Sequence, residues 1–513
     1  MELETLISWL LFSTSLFWFL FLATKTKSKP PKTPSSTTNT PIPKSYPIFG
    51  SAFSLLANFH RRIQWTSDIL QTIPSSTFVL HRPFGARQVF TAQPAVVQHI
   101  LRTNFTCYGK GLTFYQSIND FLGDGIFNAD GESWKFQRQI SSHEFNTRSL
   151  RKFVETVVDV ELSDRLVPVL SQASNSQTTL DFQDILQRLT FDNICMIAFG
   201  YDPEYLLPSL PEIPFAKAFD ESSQLSIERL NALIPLLWKV KRFLNIGVER
   251  QLKEAVAEVR GLATKIVKNK KKELKEKALQ SESESVDLLS RFLSSGHSDE
   301  SFVTDMVISI ILAGRDTTSA ALTWFFWLLS KHSHVENEIL KEITGKSETV
   351  GYDEVKDMVY THAALCESMR LYPPLPVDTK VAVHDDVLPD GTLVKKGWRV
   401  TYHIYAMGRS EKIWGPDWAE FRPERWLSRD EVGKWSFVGI DYYSYPVFQA
   451  GPRVCIGKEM AFLQMKRVVA GIMGRFRVVP AMVEGIEPEY TAHFTSVMKG
   501  GFPVKIEKRS PLV

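Results

Sequence analysis

The chain has 513 residues, 44% hydrophobic and 23% charged, as in an ordinary globular protein. Its formal net charge of +3 argues against a dedicated nucleic-acid binder. Four cysteines (Cys107, Cys195, Cys366, Cys455) stand far apart with no C-x-x-C pair, which argues against a disulfide framework or zinc knuckle and suits a reducing compartment.

Leu6 to Ala23 is an uncharged run rich in Leu, Phe and Trp, just long enough to span a bilayer as a helix. Lys25, Lys27, Lys29 and Lys32 follow it, and Glu2 and Glu4 precede it. The positive-inside rule puts the lysine side in the cytoplasm. A cleaved signal peptide fits less well, because the basic residues follow the run and no A-x-A site is evident. Pro30, Pro31, Pro34, Pro41, Pro43 and Pro47 come next, among Ser, Thr and Lys. Such a stretch reads as a stiff extended linker. The expected division is an anchor helix at 1–24, a basic proline-rich linker at 25–45 and one large domain at 46–513.

Within that domain, Trp134 and Arg138 of Trp134-Lys135-Phe136-Gln137-Arg138 lie four apart, on one helix face. Leu150 to Ser171 is apolar at helical spacing. Glu249 to Leu279 is strongly charged, and its Lys268-Asn269-Lys270-Lys271-Lys272 run reads as a solvated helix face and loop. Phe302 to Leu329 is long and apolar enough for a central helix, and His297-Ser298-Asp299-Glu300 offers capping residues. Inside it, Ala313-Gly314-Arg315-Asp316-Thr317-Thr318 puts a glycine and two threonines mid-helix, which is locally unfavourable. Glu367 and Arg370 share a helix face, and Phe421-Arg422-Pro423-Glu424-Arg425-Trp426 follows later. Short β-like pieces lie at Ser76 to Leu80, Gln88 to Thr91, Trp398 to Tyr402 and Val504 to Ile506.

Phe448-Gln449-Ala450-Gly451-Pro452-Arg453-Val454-Cys455-Ile456-Gly457 reads F-x-x-G-x-R-x-C-x-G. At ordinary residue frequencies such a pattern arises in a chain this long on the order of one time in ten thousand. Each position has a task if Cys455 is the axial thiolate of haem iron. The thiolate favours O–O cleavage. Gly451 and Gly457 would let the backbone bend around the sulfur and aim N–H groups at it. Arg453 would supply a cation for a haem propionate. The stretch resembles the haem loop of the cytochrome P-450 family of haem-thiolate monooxygenases. That resemblance implies a mainly α fold with small β-sheets, preceded by a transmembrane helix, with haem b as cofactor.

It also implies roles for the other motifs. The central helix would open over the haem and leave room for O2. Thr317 would donate a hydrogen bond there, and Asp316 would feed protons from solvent. Trp134 and Arg138 would reach a propionate, with Phe448 beside the cofactor. Glu367, Arg370 and Arg425 would form a buried charge network under the haem loop. Lys380 falls where many relatives carry an Arg or His to a propionate, and lysine lacks the guanidinium fork. No G-x-G-x-x-G opens a helix after a strand, so electrons would come from NADPH through a flavoprotein, NADPH-cytochrome P-450 reductase. Lys135, Lys458, Lys466 and Arg467 are candidates to steer it.

Asn58 to Asp68, Phe121 to Gly131, Ser141 to Phe145, Leu189 to Cys195 and Ala450 to Phe462 resemble the plant fatty-acid ω-hydroxylase branch, its legume members most. The branch also contains hydroxylases of a jasmonate–amino-acid conjugate and of a steroid side chain. The resemblance places Phe114, Tyr115, Ile118, Phe121 and Leu122 on the substrate pocket. It places Leu312, Ala313, Leu375, Val377 and Phe494 there as well. The set is apolar and suits a hydrocarbon. The expected reaction is hydroxylation of the terminal methyl of a medium- or long-chain fatty acid. His60, Arg61 and Arg62 are candidates to hold its carboxylate. The expected place is the endoplasmic reticulum membrane, single-pass, catalytic domain cytosolic, in contact with membrane lipid. Jasmonoyl-isoleucine hydroxylation is the runner-up. An oxygen-independent haem-thiolate isomerase or dehydratase would not need Asp316 and Thr317.

Overall fold

The computed structural model describes residues 42–142, 147–280, 287–295, 299–344, 351–483 and 485–510. The expected anchor at 1–24 and nearly all of the linker at 25–45 lie outside these. Among the described residues, no helix is long and apolar enough to cross a membrane. The body is mostly helical with small sheets.

The central helix runs Glu300–Ile311, passes through a π turn at Leu312–Asp316, and continues as Thr317–Lys331. Asp299 caps it, accepting from the N–H groups of Ser301 and Phe302. The helix is buried on nearly every side, so its apolar sequence needs no polar face. The π turn falls on the glycine-containing stretch that propensity marked as weak, and the neighbouring helix Phe182–Phe199 holds it. The Arg315 carbonyl accepts from Thr190 Oγ1 at 2.9 Å and from Ser319 Oγ at 2.8 Å. A Cβ on Gly314 would stand 2.4 Å from Ile194 Cγ1, so only glycine lets the two helices approach this closely.

A five-stranded sheet flanks the helices in the order Thr77–His81, Arg87–Thr91, Arg399–Tyr402, Asp378–Ala382, Tyr108–Gly109. The second and third strands pair in parallel and the other neighbours antiparallel. Pro503–Lys508 pairs with Phe476–Pro480 and with Leu180–Asp181.

Two stretches depart from expectation. The helical region expected at Leu150 to Ser171 is built of Thr147–Lys152, π turns at Phe153–Val158 and Glu161–Leu166, and Val167–Ser176. Pro168 near the start of the last piece lacks an N–H to continue a regular ladder. Lys270 is also not solvated. It is buried on the helix Val248–Gln280 and bridges Asp287 at 2.9 Å and Glu273 at 2.7 Å. The neighbouring Lys268 and Lys272 do face solvent.

Arg165 sits among three carboxylates: Glu161 at 2.7 Å, Asp192 at 3.3 Å and Asp202 at 2.5 Å. Burial, and then Asp192, push Glu161 up to about 8, against the pull of Arg165. Between about 4.5 and about 8 the folded chain therefore keeps a proton that the unfolded chain releases, and this site loses stability as pH rises through that window. Glu161→Gln should remove that loss. The variant's thermal midpoint should gain on the wild type between pH 5 and pH 8, and a constant difference would contradict the assignment.

Candidate active site

The loop around Cys455 is pinned by its own backbone. Cys455 N–H donates to the Phe448 carbonyl at 2.8 Å, and Val454 N–H to that of Gly451 at 3.1 Å. Gly451 has φ +64°, and a Cβ there would stand 2.0 Å from the Leu101 carbonyl oxygen. Its task is to seat the loop on the turn His99–Thr103, not to bend around the sulfur. Gly457 does serve the sulfur. It caps the helix Lys458–Met473, and its N–H hydrogen-bonds to Cys455. Burial raises the thiol's pKa, while the Gly457 N–H, Arg138 and Lys458 oppose that rise. Yet Cys455 has exposed surface, unlike Cys107, Cys195 and Cys366, which are buried. Protein atoms crowd around Cys455, yet its own surface stays open, which leaves a hollow beside it for a bound group.

The central helix, which packs on the Lys458–Met473 helix, has a matching gap. Ala313 is exposed and Gly314 and Thr317 are half-buried, though Ile311, Leu312, Arg315, Asp316 and Thr318 around them are buried. Thr317 Oγ1 donates to the Ala313 carbonyl at 2.7 Å. Asp316 is buried and accepts from Arg315 Nη1 at 2.9 Å. The same nitrogen reaches Asp220 Oδ1 at 2.7 Å, and Asp220 is 53% exposed, so the chain ends at solvent. Burial pushes the Asp316 carboxyl up, opposed by Arg315 and aided by Asp220.

Cations gather on one side of the hollow. The Arg453 guanidinium lies 4.5 Å from the buried Trp134 ring and donates to Asp130 Oδ1 at 2.5 Å. Arg138 feels both Cys455 and Arg453. Lys380 is buried and donates to Asp378 Oδ2 at 2.6 Å. Lys110 belongs to the same group: burial, Lys380 and Arg453 push it down to about 7, against Asp378 and Asp130. No motif marks Lys110. The pairing of Gly109 with Val381 brings it beside Lys380. Four basic side chains thus meet two carboxylates, Asp130 and Asp378. The excess of donors fits the propionates of haem b, whose charge would also keep Lys110 protonated.

Beneath the loop, Arg370 donates to both Glu367 oxygens at 2.8 Å, and Arg425 Nε to Glu367 Oε1 at 3.0 Å. Trp426 Nε1 adds a bond to Glu367 at 2.9 Å, and Asp417 pairs with Arg425 at 3.0 Å. Glu367 and Arg370 are fully buried. Tyr445, just before the loop, packs on Trp426 at 4.7 Å and donates to the Cys366 carbonyl at 2.9 Å. Phe448 packs on Phe462 at 5.2 Å.

The expected pocket residues divide. Phe114, Leu375, Val377 and Phe494 keep accessible surface, as Ala313 does. Ile118, Phe121, Leu122 and Leu312 do not; they are packed into the core, with Phe121 against Phe219 at 5.1 Å and Phe494 at 6.3 Å. Phe114 and Phe494 pack against the same cluster. Tyr115 is exposed and donates its hydroxyl to Asp124 at 2.9 Å. Two of the cations expected to steer a redox partner are also buried: Lys466 donates to the Lys356 carbonyl at 2.9 Å, and Arg467 pairs with Asp159 at 2.5 Å. A cleft of about 760 Å³ opens elsewhere, beside Leu371, Arg409 and Trp418. It is not part of this site, because neither Cys455 nor the Ala313 gap lines it.

An accessible cysteine in a pinned loop, with basic side chains gathered nearby, has the residues to hold a thiolate-ligated haem. Comparison with known proteins supplies the family. Residues 40–505 match the family model described as Cytochrome P450, and the chain belongs to that family. It is 62% identical to cytochrome P450 94A1 of Vicia sativa over 469 residues, 91% of each chain. It is 46% identical to cytochrome P450 94B1 of Arabidopsis thaliana over 513 residues, 99% of this chain and 98% of the relative. Cytochrome P450 94B3 of the same plant is 47% identical over 474 residues, 92% of each. The protein is thus a plant-type P450 monooxygenase whose cofactor is haem with thiolate-ligated iron.

Glu367→Gln should strand Arg370 in the interior and leave Arg425 with Asp417 alone, at a cost of about 3–5 kcal/mol. Denaturant unfolding should show that loss together with a fall in haem content. Asp417→Asn, at the half-exposed end of the network, should cost far less.

Proposed function

We propose that this P450 hydroxylates the terminal methyl of medium- or long-chain fatty acids, with electrons from NADPH through a membrane-bound flavoprotein reductase. The observation that carries this reading is the apolar gap beside Cys455. Ala313, Leu375, Val377 and Phe494 are the expected pocket residues that keep accessible surface, and their side chains offer a hydrocarbon no polar contact. The resemblance of the body to the fatty-acid ω-hydroxylase branch supports the substrate class. The expected anchor and the endoplasmic reticulum, with the body on the cytosolic face, belong to the same proposal.

When bound, the haem supplies activation of O2. The chain's own residues do the rest. Gly457 N–H, Arg138 and Lys458 favour the sulfur as an anion. The terminal methyl is harder to oxidise than the methylene beside it, so selectivity must come from position. Walls that admit only a chain end supply it. Thr317 can turn its hydroxyl from the Ala313 carbonyl and donate a hydrogen bond into the gap. Asp316, buried one residue away and pushed up by burial, can hold a proton there, and Arg315 ties it to the exposed Asp220. An acid next to a hydroxyl favours an oxygenase over an oxygen-independent isomerase.

Product analysis of protein in microsomes with NADPH and reductase tests the reading. Lauric and myristic acids should give the ω-alcohol. Attack only within the chain, or turnover of jasmonoyl-isoleucine alone, would overturn it. Thr317→Ala should lower product on the order of a hundredfold while NADPH oxidation continues. Retained coupling of the two would deny Thr317 that donor role.

A further inference from the structure

Three arginines meet where the five-stranded sheet abuts the end of the helix Pro214–Asn231. Arg62 begins the helix Arg62–Thr72, Arg82 follows the strand Thr77–His81, and Arg399 opens the strand Arg399–Tyr402. Arg82 donates to the carbonyls of Asn231 at 3.3 Å and Ala232 at 3.2 Å and to Gln88 Oε1 at 3.1 Å. Arg399 donates to the Leu230 carbonyl at 3.4 Å, and Gln88 is its partner across the parallel strands. All these acceptors are neutral. Among the described residues, no carboxylate pairs with any of the three. Arg82 instead feels Arg399 and Arg62, and Arg62 feels Arg399. By contrast Arg229, Arg315, Arg370 and Arg467 each hold a carboxylate, and Arg409, which does not, stands alone against the Tyr405 ring.

Like charges are not left together in a desolvated place without a counterion. Burial and mutual repulsion push Arg82 down to about 9 and Arg62 to about 10. Yet all three keep partial exposure, so an anion can reach them. The cluster also shares a strand with a residue that touches the cysteine loop. Tyr402 donates to Asp378 at 2.7 Å and hydrogen-bonds Gln449 of the cysteine loop. Arg399 is three residues back along that strand, about 10 Å away at the usual rise. Just past Ala232 the surface turns apolar, with Leu236 66% and Phe243 88% exposed. Exposed apolar surface and unpaired cations thus lie close together, as an amphiphilic acid requires.

We propose that Arg62, Arg82 and Arg399 bind the carboxylate of the acid substrate and so fix how far its other end reaches toward the iron. This rests on the acid-hydroxylase reading above. It also revises the expected anchor: Arg61 is spent on Asp68 at 2.7 Å and His60 is exposed, leaving only Arg62 of that trio in the cluster.

The test uses the full-length haem protein, with folding checked by its carbon monoxide difference spectrum. Lauric acid and methyl laurate are each titrated against the substrate-induced change in haem absorbance. In Arg82→Gln, Arg399→Gln and Arg62→Gln, affinity for the acid relative to the ester should fall about tenfold or more. Arg82→Lys should retain most of the preference. Equal weakening of acid and ester would mean that the arginines merely hold the carbonyls at 230–232, and would overturn the proposal. So would an unchanged ratio, or a wild type that does not prefer the acid. Product analysis on the same preparations separates the two ideas. In-chain attack by the wild type sinks ω-hydroxylation, and the acid-to-ester ratio still judges the arginines.

Discussion

The hollow above Cys455 depends on the hydrogen bonds at the Arg315 carbonyl. An apolar helix through the middle of a core tends to close over any gap beside it. Here the helix carries a π turn, which disturbs its regular ladder and leaves carbonyls to be satisfied. Thr190 and Ser319 satisfy the one at Arg315. Gly314 lets Ile194 press in from behind. The helix Phe182–Phe199 therefore acts as a splint, and the distortion persists as Ala313 and Thr317 facing open space.

Charge is handled in two ways in this protein. Under the cysteine loop, Glu367 and Asp417 are matched by Arg370 and Arg425, and further N–H donors fill the remaining lone pairs. Such a closed set holds a shape. Around Trp134 and Lys380 the cations outnumber the carboxylates, and at Arg82 no carboxylate pairs with them at all. A balanced network marks structure, whereas an unbalanced one marks a place where something else must supply the missing charge.

How far these features were legible in the sequence depends on how local they are. The cysteine loop was legible because its ligand, cation and glycines fall within ten residues. The central helix and its weak spot were legible from propensity, and the strands from composition. The partners that fix them were not. Thr190 and Ile194 lie in a stretch that resembles the ω-hydroxylase branch, but nothing in the chain says that they touch Arg315 and Gly314. Lys110 joins the cations only through a strand register. Lys466 and Arg467 were misplaced for one reason: residue type does not say which way a helix is turned when apolar and charged residues mingle on several faces. Gly451 was given the wrong neighbour, since its close contact is with Leu101, hundreds of residues away in sequence.

The helix Pro214–Asn231 carries Asp220, the solvent end of the path to Asp316, and it ends at the carbonyls that Arg82 and Arg399 hold. A rigid rod fastened at both points cannot shift at one without loading the other. The surroundings of Asp316 and the arginine cluster at the sheet are thus two ends of one lever, and a substitution at either end is felt along the whole of that helix.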